Sequence, residues 1–86
     1  MVGRVQDKRI LITGAGSGMG RTIALKLADE GAKVVLFDLN VDAAQIVADD
    51  IETKGGRAIA VGGNVTQRGD VADAVQKSVD AFGGLD

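Results

Sequence analysis

The sequence predicts an α/β fold in three layers, with a parallel sheet of three strands between layers of helices. Three observations predict it. Short apolar runs rich in β-branched residues alternate with longer segments of helical periodicity, and glycines punctuate the boundaries between them. At 86 residues the chain has room for one small domain only. Strands alternating with helices of this length give parallel neighbours joined by right-handed crossovers.

Each element can be justified in order. Residues 9–13, RILIT, form a short apolar run compatible with a strand buried on both faces. Four glycines follow within residues 14–20. Met19, Ile23, Leu27 and Ala28 then fall at helical spacing, which predicts a helix over 18–29, and Gly31 is placed to stop it as a left-handed cap. Residues 33–38, KVVLFD, read as a second buried strand. A second helix over 41–54 carries Val47 and Ile51 one turn apart, with Ala44 and Ala48 beside them, and Gly55 and Gly56 end it. Residues 57–61, RAIAV, make a third strand, weakened by alanine, a poor strand former. A third helix over 68–82 has Val71, Val75, Val79 and Phe82 on one side, and Gly83 and Gly84 end it. The order is β-α-β-α-β-α, with no linker, low-complexity tract or internal repeat.

Composition narrows the chemistry. Hydrophobic residues at 45% and charged residues at 26% are ordinary for a globular protein. The formal charge is -2 and no basic tract or aromatic–basic cluster occurs, which argues against nucleic acid as a partner. There is no cysteine, hence no disulfide framework and no thiolate chemistry. There is no histidine either, which argues against a zinc site. The lack of His and Tyr removes the commonest general base and the phenol acid together. The start, MVGRVQDKR, has no apolar core of a secretory signal, and no apolar run is long enough to span a membrane. A cytoplasmic setting is the expectation. Ser17 and Ser78 have no His or Tyr to activate them, and Lys77 reads as solvent-exposed. Asp49 and Asp50 are helix neighbours that point apart, so they read as a solvated face.

The glycine turn calls for a physical reason. A strand feeding a helix through a tight turn leaves the first helical N–H groups unpaired, and the helix dipole adds partial positive charge there. A pyrophosphate suits such a site if no side chain blocks its approach. Glycine removes the Cβ and permits positive φ, which accounts for Gly14, Gly16, Gly18 and Gly20. A glycine-rich turn can also merely join two elements, but here it follows a strand, opens a helix, and precedes a strand that ends in an acid. That acid, Asp38, stands 18 residues after Gly20. A carboxylate there can accept hydrogen bonds from both ribose hydroxyls and would repel a 2′-phosphate. A Walker phosphate loop is ruled out, because no Gly-Lys pair occurs.

These residues resemble the short-chain dehydrogenase/reductase family. TGAGSGMG, residues 13–20, is similar to that family's TGxxxGxG cofactor loop, with Thr13, Gly14, Gly18 and Gly20 in the matching places. FD at 37–38 resembles the strand end of its NAD-preferring members, and GGNVT at 62–66 resembles the segment after the third strand. Members usually carry Asp-Val where this chain has Asn64-Val65; the resemblance implies that Asn64 touches the adenine ring. FGGLD, 82–86, looks like the lead into a fourth strand. The implied architecture is one half of a Rossmann-type domain, strand order 3-2-1, spanning residues 1–86. The implied cofactor-binding residues are Gly14, Gly16, Ser17, Gly18, Met19, Gly20, Asp38, Leu39, Asn64 and Val65. Members that take NADP usually place a basic residue in the glycine loop or just after the second strand; here those places hold Ser17 and Leu39, which implies NAD. Arg21 lies inside the helix and reads as solvated or phosphate-facing.

The resemblance also implies residues that this chain lacks. The family's Asn-Asn-Ala-Gly segment, catalytic serine and Tyr-x-x-x-Lys pair do not occur within the 86 residues. The expectation is therefore the adenosine- and pyrophosphate-holding part of an oxidoreductase that moves a hydride between NAD and an alcohol or ketone, inactive by itself. Two rivals stand beside it: a βαβ module that assembles without tight cofactor binding, and a subunit completed by a second chain. In the family order the first strand pairs with a fourth, so here RILIT is expected as an open apolar edge. Such edges recruit partners, and a homo-oligomer with two first strands antiparallel about a two-fold axis is expected.

Overall fold

The computed structural model describes residues 6–85. Six elements appear in the expected order: β1 (Arg9–Thr13), α1 (Gly18–Asp29), β2 (Lys33–Asp38), α2 (Val41–Thr53), β3 (Arg57–Gly62) and α3 (Arg68–Phe82). Two boundaries move by one residue. β3 runs on to Gly62, because Asp38 and Gly62 still pair across the strands, and α2 ends at Thr53 with Lys54 as its C-cap. Gly31, Gly55 and Gly83 lie just past the three helices with φ of +96°, +90° and +85°, the left-handed conformation that ends a helix at low cost when the residue is glycine.

The three strands are parallel in the order β1-β2-β3, which is the expected 3-2-1. β2 is therefore central, and its side chains alternate between two cores. Val34 and Leu36 point to the face covered by α1 and α2, where Ala24, Ala44, Val47, Ala48 and Ile51 are buried. Val35 and Phe37 point to the other face, with Val61 and Ala74 under α3. Helices on both faces make the three layers and account for the unbroken apolar run of β2.

The four residues expected on the inner face of α2 are all buried, but the other two helices differ from the expectation. In α1 the buried residues are Gly20 and Ala24; of the expected stripe, Leu27 and Ala28 are half-buried and pack against the core, while Met19 and Ile23 are exposed. The reason is close approach. Gly20 backs onto the turn that precedes the helix, so the first turns face the sheet with their smallest residues, and the apolar stripe reaches the core only at Leu27 and Ala28. In α3 the same rule holds. Ala74 and Ser78 are buried, Phe82 is half-buried, and Val71, Val75 and Val79 are exposed. Ser78 tolerates burial because its hydroxyl donates to the Val75 carbonyl at 2.6 Å. β1 differs as well: only Ile12 is buried, because β1 lies at the sheet edge with a strand neighbour on one side alone among the described residues.

This packing separates residues by consequence. Ile51→Ala, in the α2 core, is expected to lower the unfolding free energy by about 2–5 kcal/mol. Val75→Ala, on the open side of α3, should change it by no more than about 0.5 kcal/mol. Urea unfolding followed by circular dichroism measures both, and equal losses would contradict the assignment of the core.

Candidate functional site

The site lies where β1, β2 and β3 end, and the turn after β1 is its first wall. Gly14 takes φ +63°, which a side chain rarely permits. Its carbonyl accepts from the Ser17 amide at 3.0 Å and from the Ser17 hydroxyl at 2.6 Å. Ser17 is the N-cap of α1, yet its hydroxyl is turned to that carbonyl and makes no cap bond. The first helical amides are thus left for a ligand, with no acidic side chain in the first turn to compete for them. A Cβ on Gly20 would land on the Gly14 carbonyl oxygen, so α1 can start this close to β1 only with glycine there. A Cβ on Gly18 would meet nothing within 4 Å. Gly18 is therefore bare toward open space and has no packing reason to be glycine.

The second wall is the end of β2. Asp38 accepts from the Gly16 amide on Oδ2 at 2.7 Å and from the Asn40 amide on Oδ1 at 2.9 Å. An ionised carboxylate offers about four acceptor positions, so about two remain for an incoming diol. Gly16 is bare for this contact. A Cβ there would fall 2.6 Å from the Ala43 Cβ and 3.0 Å from Asp38 Oδ2. Asn40 caps α2 by accepting from the Ala43 amide at 3.1 Å, which fixes the chain just beyond the carboxylate.

The third wall follows β3. The Gly63 amide donates to the Asp38 carbonyl at 3.1 Å, extending the ladder to the site. A Cβ on Gly63 would fall 2.9 Å from the Phe37 ring and 3.0 Å from the Asp70 Cβ. Asp70, in the first turn of α3, accepts from the Asn64 amide at 2.9 Å. Asn64 Oδ1 in turn accepts from the Thr66 amide at 2.9 Å and from the Thr66 hydroxyl at 2.7 Å.

Between these walls opens a cavity of about 260 Å³, lined by Thr13, Gly14, Phe37, Asp38, Leu39, Gly63, Asn64 and Val65. Leu39 and Val65 are exposed apolar side chains on its border, an arrangement suited to a flat ring. A larger cavity, about 600 Å³, opens at the opposite ends of the strands and contains none of the expected site residues. Open parallel sheets bind ligands outside the carboxyl ends of their strands, so the smaller cavity is the candidate.

Of the residues expected from sequence, the cavity brings together Gly14, Asp38, Leu39, Asn64 and Val65. Gly16 reaches it through the Asp38 carboxylate. Ser17, Gly18, Met19 and Gly20 stand outside the cavity at the N-terminus of α1, where Met19 is exposed. The expected set omitted Thr13, Phe37 and Gly63 from the lining, and Asn40, Ala43 and Asp70 from the support. Asp70 had a legible signal, an acid in the first turn of a helix. Ala43 had none, because only the folded turn shows what its methyl group faces.

Comparison with known proteins follows the same lines. The family model for short chain dehydrogenase matches residues 8–86. The chain belongs to this family. A cyclohexanol dehydrogenase of Acinetobacter sp. (strain SE19) is 45% identical over 85 residues, covering 99% of this chain and 34% of the relative. A hydroxysteroid dehydrogenase structure from Escherichia coli superposes with TM-score 0.92 at 37% identity, covering 96% of this chain and 35% of that one. A family member from Burkholderia phymatum, solved in complex with NAD, superposes with TM-score 0.89 at 34% identity, covering 94% of this chain and 29% of that one. The chain thus spans about a third of the length of the curated relatives it matches. Among the described residues, no helix is long and apolar enough to cross a membrane.

The two glycines of the α1 start should part company under mutation. Gly20→Ala is expected to lower stability by about 1–3 kcal/mol, since backbone must move to admit the methyl group. Gly18→Ala should leave it unchanged or raise it by up to about 1 kcal/mol. Urea midpoints of the two variants check this directly.

Proposed function

We propose that residues 1–86 are the adenosine- and pyrophosphate-binding half of the Rossmann domain of an NAD-dependent oxidoreductase. The observation that carries this reading is the Asp38 carboxylate, positioned by two backbone amides on the border of the cavity, with acceptor capacity to spare. Asp38 would hold the ribose diol, Leu39, Val65 and Asn64 would border the base, and the bare amides around Ser17, Gly18, Met19 and Gly20 would hold the pyrophosphate. Gly14, Gly16 and Gly20 shape the turn, and Gly18 keeps the approach open. When bound, NAD supplies the hydride-accepting ring. The residues of this chain bind and orient the other end of the cofactor. Asp38 disfavours a 2′-phosphate, and neither Ser17 nor Leu39 offers a cation to hold one, so NAD is preferred over NADP.

The whole protein, in this reading, transfers a hydride between NAD and an alcohol or ketone. Support comes from relatives named as dehydrogenases, among them a cyclohexanol dehydrogenase, and from the NAD complex of the Burkholderia phymatum structure. The 86-residue chain itself contains no tyrosine or histidine to move the alcohol proton, so it is inactive alone in this reading.

A second reading is favoured by a different observation. β1 is an open edge among the described residues, and Val71, Val75 and Val79 form an exposed apolar stripe on α3. A second copy of the chain suits both. Antiparallel pairing of two β1 strands about Leu11 would continue the sheet through a two-fold axis. This assembly is compatible with cofactor binding and would be its alternative only if NAD does not bind.

Calorimetric titration tests the first reading. The chain should bind NAD saturably and NADP more weakly, and Asp38→Ala should weaken NAD by about tenfold or more, as for hydrogen bonds to a charged group. Absence of NAD binding by the unaltered chain would sink it. Sedimentation velocity at tens of micromolar tests the second, which expects a dimer; a monodisperse monomer would count against it.

A further inference from the structure

The cavity of about 600 Å³ lies at the far end of the sheet from Asp38, and its lining is not neutral. The whole chain carries a formal charge of -2. The lining holds four cations, Lys26, Lys33, Lys54 and Arg57, against two acids, Asp7 and Asp29. Positive charge is therefore concentrated at one end of an acidic chain.

Local structure accounts for three of the four cations. A helix C-terminus carries about half a negative charge. Lys26 lies in the last turn of α1, and Lys54 is the C-cap of α2, where it also pairs with Asp50 at 3.6 Å. Arg57 lies over the Phe82 ring at 5.7 Å. Lys33 has no such role. It starts β2, half-buried, and makes no ion pair among the described residues. The sheet register sets it between Arg9 of β1 and Arg57 of β3. Like charges side by side on neighbouring strands repel, and partial burial raises the cost of a charge that nothing answers. The fold holds Lys33 where its own contacts give no return.

We propose that this cavity is a second ligand site, taking a small organic dianion, a phosphate monoester or a dicarboxylate, with Lys33 as its main contact. Two negative charges match the excess in the lining. Half-buried Leu25 and Ala28 give the wall an apolar part for an organic body. The volume is in the range of small-molecule sites. Lys33 and Asp38 are opposite ends of one strand, so the dianion and a dinucleotide would not compete.

The test is titration of the isotopically labelled chain with phenyl phosphate and with phthalate, followed by proton–nitrogen correlation spectra at constant ionic strength. Benzyl alcohol, which keeps the ring without the charge, is the comparison. At least one dianion is expected to give saturable amide shifts at Lys33, Gly55 and Gly56, and benzyl alcohol none; the tighter probe tells phosphate from carboxylate. Lys33→Gln should weaken that binding by about fivefold, as for an ion pair partly open to solvent. Lys77→Gln removes a lysine that pairs with Asp73 on α3, and should leave the binding within about twofold. The urea midpoint of Lys33→Gln should be no lower than that of the unaltered chain, since a repelling charge is lost. Shifts that grow without saturation, saturable shifts confined to the glycine turn, or equal effects of the two variants overturn the inference. A lowered urea midpoint for Lys33→Gln does the same, by assigning Lys33 to the fold. None of these outcomes depends on whether the chain binds NAD.

Discussion

The Asp38 carboxylate bonds backbone amides from two different turns, and the site is organised around that fact. Gly16 belongs to the turn after β1, and Asn40 to the turn after β2. Both turns bring N–H groups to the same end of the sheet; the Gly16 contact is partly buried, where an unpaired amide costs about 1–3 kcal/mol, and the Asn40 contact is exposed. One acid satisfies one amide from each turn. Its position follows from the sheet register, which pairs Asp38 with Gly62 at the last step of the ladder. The contact also selects its neighbours, because Gly16 has no space for a side chain between Asp38 and Ala43.

The candidate site is built largely from backbone. Where the pyrophosphate would lie, glycines remove side chains and a helix start supplies amides. Where the nucleoside would lie, one carboxylate and two exposed apolar side chains form the border. The two parts recognise different chemistry: negative charge in one case, a hydroxylated sugar and a flat ring in the other. Separate strand ends carry them; the Asp38–Gly16 contact joins the ends of β1 and β2, whereas the loop after β3 is held independently of the glycine turn. Asn64 illustrates this, since its side chain is held by Thr66 and its amide by Asp70, away from the glycine turn.

Much of this was legible in the sequence because it depends on local pattern. Alternation of strand and helix runs, glycine stops and an acid at a strand end are all short-range signals, and they located the six elements to within a residue. The inner faces of α1 and α3 were legible only in part. Periodicity identified the apolar stripes, whose C-terminal members Leu27, Ala28 and Phe82 do pack against the cores, but Met19, Ile23, Val71, Val75 and Val79 are exposed and the fully buried residues are Gly20 with Ala24 and Ala74 with Ser78. Hydrophobicity favours the large residues, whereas close approach to a sheet favours the small ones, and pattern alone does not weigh the two. The partners of Gly16 and Asn64 were hidden for a related reason: they lie across turns, and only folding sets the distances.

The exposed valines of α3 have a consequence for how the stability of this chain should be understood. Apolar surface on a folded molecule is a reserve of free energy that is realised only when something covers it. Anything that binds the folded form and not the unfolded one raises its apparent stability in proportion to the logarithm of its concentration. A second copy or another stretch of polypeptide seated on Val71, Val75 and Val79 would act in this way. Stability would then be a property of the solution as much as of the sequence, with dilution working as a mild denaturant and a melting temperature meaningful only beside the concentration at which it was taken.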